Sequence, residues 1–232
     1  MLLNDGPKTA PNASISFMVI CETAHEIDHC WQGLTEGGQI LMPLDAYDWS
    51  PRYGWVQDKF GLSWQLYQGE LKEGTQKISP TLMFTGDQAG KTEEALRFYV
   101  SVFPQSKVEG VLHYAEGDHD KPGLVKHAQF TLKDYVVMAM DSSLPHGFGF
   151  NEATSLVVEC EDQSEIDRYW DRLSSGGGVE VACGWLTDKY GLSWQIIPAG
   201  LGKLMTDPEK GERAMNALLK MKKLIIADLE NA

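Results

Sequence analysis

Lysine and arginine are scarce in this 232-residue chain: 20 of them stand against 33 aspartates and glutamates, giving a formal charge of -13, and no basic run occurs. Phosphate backbones and anionic membrane surfaces are bound through clustered positive charge, so nucleic acid and charged membranes are excluded as partners. A small molecule or another protein is left. Cysteine is equally sparse. Cys21, Cys30, Cys160 and Cys183 form no C-x-x-C pair and fall far below the density of a disulfide-stapled secreted domain. Reduced thiols and a cytoplasmic protein are expected. The opening "MLLNDGPKTAPN" has neither a basic n-region nor a long apolar h-region, and no later run approaches the ~18 apolar residues of a membrane span. Missing too is a glycine-rich turn leading from a strand into a helix, the setting of a nucleotide or S-adenosylmethionine cradle. The stretches "GGQILMP" and "GGGVEVACG" each follow a predicted helix and enter a strand.

What the chain does contain is repetition. "DKFGLSWQ" (58–65) returns as "DKYGLSWQ" (188–195), and the likeness extends upstream. "NASISFMVICETAHEIDHCWQGLTEGG" (12–38) lies over "NEATSLVVECEDQSEIDRYWDRLSSGG" (151–177), with Cys21, Glu26, Ile27, Trp31 and Leu34 among the identical positions. Each copy starts with a β-rich run and then a capping box, Thr23 with Glu26 or Asp162 with Glu165. A helix follows whose apolar positions, Ile27, Trp31, Leu34 or Ile166, Trp170, Leu173, recur at helical spacing. Glycines stop it, and short strands end in "GLSWQLY" or "GLSWQII", where alternation puts Ser and Gln on one face and Trp on the other. Between the copies, "ISPTLMFTG", "KTEEALRFYVSVFP" and "KHAQFTLKDYVVMAMD" follow the same plan with weaker identity. The expectation is an α+β protein of three β-α-β-β-β units, at roughly 1–70, 78–141 and 152–198. A single amphipathic helix over 206–230 follows, capped by Thr206 and Glu209 and striped by Ala214, Leu218, Met221, Ile225 and Leu229.

Together "ISPTLMFTG...EEALRFYVSVFP", "VKHAQFTLKDYVVMAMD", "SLVVECEDQSEIDRYWDRLSSGG", "CGWLTDKYGLSWQIIP" and "RAMNALLKMKKLIIADLE" resemble the PhnB-like family. That family belongs to the vicinal-oxygen-chelate, or glyoxalase/bleomycin-resistance, superfamily, and its members often carry the label 3-demethylubiquinone-9 3-methyltransferase. The resemblance covers about 76–231 as one full domain, while 12–69 resemble the second half of another. It implies that two units close into an eight-stranded cup holding a small-molecule pocket. The expected division is therefore a half domain at 1–74, lacking its partner unit, and a complete domain at 75–232 with its cup over 78–198. The opening twelve residues resemble Val137–Asn151, the end of one unit and the link to the next. The chain thus resembles a four-unit ancestor started one unit late: either it is a shortened form, or its first unit pairs across a homodimer.

Metal-dependent members of that superfamily aim His or Glu from the first and last strands into the cup, with the closing Glu often four residues after a Gly. Here Gln65 and Gln195 stand four after Gly61 and Gly191, and no histidine lies in 10–20, 76–86 or 150–160. No catalytic metal and no cofactor are expected. His25 and His29, at i and i+4 on one predicted helix, read as a solvated surface. Asp58 and Asp188 read as turn residues, and Cys183, matched by Tyr53 in the first copy, as an idle thiol. The expected ligand contacts are Gln195, Ser193, Ile197, Phe84, Phe130, Met138, Met140 and Gln65. Three functions stay open: metal-independent binding of a small, partly apolar molecule; an enzyme of the superfamily, whether lyase, isomerase, dioxygenase or the labelled methyltransferase; and a non-catalytic sequestering or resistance protein.

Overall fold

The computed structural model describes residues 9–232. The likeness of the opening stretch to Val137–Asn151 involves residues 1–8, which lie outside the described residues. The chain divides into two bodies, Met1–Gly149 and Phe150–Ala232.

The first body runs β1 (Ile15–Cys21), α1 (Ala24–Thr35), β2 (Gln39–Tyr47), β3 (Ser50–Gln57), β4 (Ser63–Gln68), β5 (Ile78–Phe84), α2 (Thr92–Val102), β6 (Lys107–His113), β7 (Val125–Leu132) and β8 (Tyr135–Asp141). Its eight strands form one sheet in the order β2-β3-β4-β1-β5-β8-β7-β6. The seam is antiparallel, with Ser16 opposite Thr81 and Met18 opposite Ser79. The second body runs β9 (Ser155–Cys160), α3 (Gln163–Ser174), β10 (Val179–Glu180), β11 (Trp185–Thr187), β12 (Ser193–Pro198), α4 (Leu201–Met205), α5 (Gly211–Leu218) and α6 (Ile226–Glu230). Its sheet has four strands in the order β10-β11-β12-β9.

This arrangement corrects the expected division at 74/75. Strands of 78–141 join those of 15–68, and 155–198 form a sheet of their own. The composition of β1 and β9 supplies a physical reason. Met18 and Ile20 of β1 correspond to Val157 and Glu159 of β9. An apolar pair suits a strand buried at a seam, whereas a charge on the strand suits an edge.

α1 and α2 cover one face of the eight-stranded sheet, and α3 covers one face of the four-stranded sheet, whose other face meets the C-terminal segment at Ile197. Thr23 and Asp162 cap α1 and α3, accepting from the Glu26 and Glu165 amides at 3.1 and 2.8 Å. The two glutamate carboxylates in turn accept from the amides of Glu22 and Glu161, one residue ahead of each cap, a variant of the capping box. Val19, Cys21, Ile27 and Leu66 form the core under α1, with Trp31, Leu34 and Trp64 against it. Under α2 the ring of Tyr99 stacks on Phe130 at 6.3 Å. No side chain of its own turn caps α2. Instead Asp141, buried at the end of β8, accepts from the Gly90 and Thr92 amides, the Thr92 hydroxyl and the Val125 amide.

The doubled phrase forms the same construction twice. Asp58 Oδ1 accepts from the Phe60 and Leu62 amides at 2.8 and 3.0 Å, and Oδ2 from Trp64 Nε1 at 2.9 Å. Asp188 does likewise with Tyr190, Leu192 and Trp194, at 2.8, 3.1 and 2.9 Å. The aspartate therefore ties the turn to the tryptophan that packs on the helix side. Gly61 and Gly191 hold φ of +89° and +88°, a region in which L side chains are strained.

The single helix expected over 206–230 is instead two short ones, α5 and α6, with α4 ending just ahead of them. Residues 219–225 leave helical geometry because their backbone is engaged elsewhere: Met221 and Lys222 carbonyls accept from the Cys183 and Gly184 amides, and the Leu224 carbonyl from Gln163 Nε2. The apolar stripe still packs, with Leu218 and Leu229 joining Leu201 and Leu224 in one cluster. Thr206 bonds back to α4, and Asp207 accepts from the Glu209 and Lys210 amides ahead of α5.

The two rims of the eight-stranded sheet are irregular. β2 contains Pro43 and shifts register against β3 between Ile40 and Met42, Met42 and Asp45, and Asp45 and Tyr47. β6 shifts twice against β7.

Candidate functional site

Pairing registers sort the side chains of the first body into two faces, because directly opposed residues point the same way. Met18 lies opposite Gln65, Gln65 opposite Trp55, Ser16 opposite Thr81, and Thr81 opposite Met138. All of these sit on the face away from α1 and α2. Met18, Tyr53 and Met138 are its buried cluster, with Met42, Tyr47, Trp55 and Tyr67 packed around them. Tyr47 stacks on Trp49 at 5.0 Å, and Tyr53 meets both rings edge-on at 5.7 Å.

A chain of neutral hydrogen bonds crosses this face. Tyr53 OH donates to Gln65 Oε1 at 2.6 Å, and Gln65 Nε2 donates to Ser16 Oγ at 2.7 Å. Burial, with Tyr47 adding to it, pushes the Tyr53 phenol above its ordinary range, so it stays a neutral donor. Trp55 Nε1 donates to Ser63 Oγ at 2.7 Å. Beside the chain, at the β1–β5 seam, the hydroxyls of Ser79 and Thr81 are buried without a hydrogen-bond partner. A buried hydroxyl left unmade costs about 1–3 kcal/mol, so such a pair marks a place where a further donor or acceptor fits.

The expected contacts separate accordingly. Gln65 and Met138 come together on this face, and alternation along β8 adds Met140. Phe84 and Phe130 do not. Phe130 pairs with Val137 and stacks on Tyr99 of α2, and Phe84 pairs with Asp141, which bonds the start of α2. Both rings are fully buried on the helix side, so they are core residues. Gln195, Ser193 and Ile197 share a face of the second sheet. Gln195 Nε2 donates to Ser155 Oγ at 2.8 Å, repeating the bond of Gln65 to Ser16. Its carbonyl has no tyrosine to match Tyr53, for Cys183 stands in that place. Ser193 Oγ is buried without a hydrogen-bond partner, while Ile197 packs against the C-terminal leucine cluster. Tyr53, Ser16, Ser79 and Thr81 were not among the sequence candidates. The Ser-x-Thr alternation in "ISPTLMF" was the available signal for the last two.

The donor set does not fit a divalent metal of the kind held by His and Glu. Gln65 has both amide atoms engaged with neutral partners, and among the described residues no three His, Cys, Asp or Glu converge. His25 and His29 are exposed on α1. Cys183 is no activated nucleophile either, since burial raises its thiol and Sγ donates to the Leu218 carbonyl at 3.7 Å. Burial, with Cys30 adding to it, pushes the Cys21 thiol up to about 12.

Residues 1–67 and 76–197 match the family described as 3-demethylubiquinone-9 3-methyltransferase. The chain belongs to that family. This PhnB-like family lies within the vicinal-oxygen-chelate, or glyoxalase/bleomycin-resistance, superfamily. Among solved structures, a PhnB protein from Bacillus cereus is 41% identical over 53% of this chain and 100% of its own, with a TM-score of 0.49. Glyoxalase I from Zea mays is 12% identical over 78% of this chain and 66% of its own, with a TM-score of 0.52. At that identity the likeness is one of fold. No curated protein matches the chain. Within this PhnB-like member, the α+β fold has repeated β-strand and helix units that resemble those of the superfamily, and no helix of the described residues is long and apolar enough to cross a membrane.

Proposed function

We propose that this chain binds a small, uncharged, partly apolar molecule on the helix-free face of the eight-stranded sheet, without a catalytic metal. The carrying observation is the pair of buried, unpartnered hydroxyls at Ser79 and Thr81 beside the amide of Gln65, inside a wall of methionine and aromatic side chains. Sites of this composition take their affinity from apolar burial and their selectivity from a few placed polar groups. A ligand edge carrying a carbonyl or hydroxyl would meet the two hydroxyls, and its apolar body would rest on Met18 and Met138. In this reading the chain is three β-α-β-β-β units followed by a C-terminal segment, and it works in the cytoplasm. The glycine turns at 36–38 and 176–178 end α1 and α3 and lead into strands, so no feature of the site adds support for methyl transfer.

The test is recovery of small molecules from the purified full chain by native mass spectrometry, followed by calorimetry of the recovered compound on variants. Thr81→Val keeps the shape and removes one hydroxyl, and is expected to weaken binding about tenfold, the equivalent of one hydrogen bond of ~1.4 kcal/mol. Gln65→Leu is expected to weaken it further, because it also releases Tyr53 and Ser16. Equal affinity in wild type and both variants, or binding that appears only with added divalent metal, would overturn the reading.

A further inference from the structure

The two halves of the eight-stranded sheet correspond residue by residue, because the β1–β5 seam pairs Phe17 with Pro80 and sets Ser16 opposite Thr81 and Met18 opposite Ser79. A local two-fold through the Phe17–Pro80 pair carries Met18 onto Thr81 and Ile20 onto Met83. The parallel pairs extend the match outward. Gln65 beside Met18 corresponds to Met138 beside Thr81, and Tyr67 beside Ile20 to Met140 beside Met83. One strand further, Tyr53 lies opposite Tyr67. In the other half Ala128 lies opposite Ala139 and Gln129 opposite Met138, so the same register carried one step on sets His127 opposite Met140. His127 therefore holds the place of Tyr53. Ala128 and Phe130 are fully buried, and Phe130 stacks on Tyr99 of α2, so alternation turns His127 to the helix-free face.

The two places differ in chemistry. Tyr53 is 5% exposed and its hydroxyl is engaged by Gln65. His127 is exposed, Met138 stands where Gln65 would, and among the described residues no hydrogen bond engages the imidazole. Its neighbours in register, Leu112, Gln129 and Met140, are uncharged, and desolvation by the surrounding sheet holds the ring below its ordinary range. At neutral pH it presents one N–H and one bare nitrogen. Between it and the unpartnered hydroxyls of Ser79 and Thr81 lie Met83, Met138 and Met140. Thioethers adapt to aromatic rings and make favourable contacts with them. Thr81 and His127 stand two strands and two residues apart, about 12 Å at ~4.8 Å per strand and ~3.3 Å per residue. Hydrogen bonds of ~2.8 Å at the two ends leave roughly 6 Å between the ligand's own polar atoms, the span of one aromatic ring with para substituents. We propose that His127 is a specificity contact and that the ligand is a hydroxyaryl carbonyl compound. Its carbonyl accepts from the Ser79 and Thr81 hydroxyls, its ring lies over the methionines, and its hydroxyl donates to the bare nitrogen of His127. The assignment rests on the binding reading above and adds the aromatic body and the hydroxyl end.

The probes are para-hydroxyacetophenone and para-methoxyacetophenone, which share ring and carbonyl and differ in the donor. Calorimetry on the full chain is expected to show the hydroxyl compound binding about tenfold tighter, the equivalent of one hydrogen bond. His127→Phe keeps a planar ring without the acceptor and is expected to make the two affinities equal. His127→Gln restores an acceptor and should recover part of the preference. Should His127→Phe fail to fold, nitrogen NMR of wild type serves in its place. The signal of the bare ring nitrogen is expected to move toward its protonated position with the hydroxyl compound and not with the methoxy compound. Equal binding of the two compounds by wild type, no binding of the hydroxyl compound, a preference that persists in His127→Phe, or an unmoved nitrogen signal would each overturn the assignment. The binding reading itself fails separately: it is judged on the compound recovered from the protein, and Thr81→Val is expected to weaken both probes by the same factor and leave the preference intact.

Discussion

Replacing Asp141 with alanine is expected to destabilise the first body by about 4 kcal/mol, read as a shift in the urea midpoint at unchanged slope. The carboxylate is buried and receives four bonds from three residues in two segments: Gly90 and Thr92 at the start of α2, and Val125 at the start of β7. Bonds to a charged acceptor contribute about 1.5–3 kcal/mol each, and their loss strands N–H groups that water does not reach. Asp141→Asn separates charge from shape. Its single carbonyl can still serve Gly90 and Thr92 on the Oδ1 side, but its NH2 then faces the Val125 amide, donor against donor, for an expected cost of about 2 kcal/mol. Thr92→Val removes one donor and should cost about 1 kcal/mol. An alanine variant within experimental error of wild type would show that α2 needs no cap from β8.

Asp188→Ala should cost about 3 kcal/mol, and Asp58→Ala about half as much. The two aspartates make the same three bonds at nearly the same lengths. They differ in setting. Asp188, Tyr190, Leu192 and Trp194 are all buried, whereas Phe60 is exposed and Trp64 only half-buried. Water can replace the lost acceptor in the first copy and not in the second. Chemical unfolding followed by near-ultraviolet circular dichroism measures both, and equal losses in the two copies would contradict this account.

The repeat made much of this construction readable from sequence. Capping boxes, helical stripes and alternation around the closing tryptophans are local patterns, set by residues a few positions apart, and they survive folding because each is satisfied within its own unit. Strand pairing between units is different. Backbone edges carry no side-chain code, so β1, β5 and β9 look equally ready to join, and only Glu159 in place of Ile20 distinguished them. Phe84 and Phe130 were misplaced for a related reason. In a strand buried on both faces, such as "TLMF", hydrophobicity no longer says which side is which, and an error of one position exchanges core for site. The C-terminal segment broke for a third reason: its stripe was correct, yet the amides of Cys183 and Gly184 claimed carbonyls that a continuous helix would have kept. The sequence carries no signal for the role of Tyr53, because its partner Gln65 lies on another strand and no spacing rule joins them.

Pro43 and the broken registers at both rims of the large sheet bear on how this acidic chain behaves when crowded. A sheet with two straight, complete rims could be extended by strand after strand from other molecules, the route by which ordered aggregates grow. Here a strand approaching β2 meets a residue with no N–H to offer, and one approaching β6 meets a backbone out of step. The large sheet is thus self-limiting in width, and growth by strand addition at its rims is discouraged even at concentrations where folded and partly folded copies collide often.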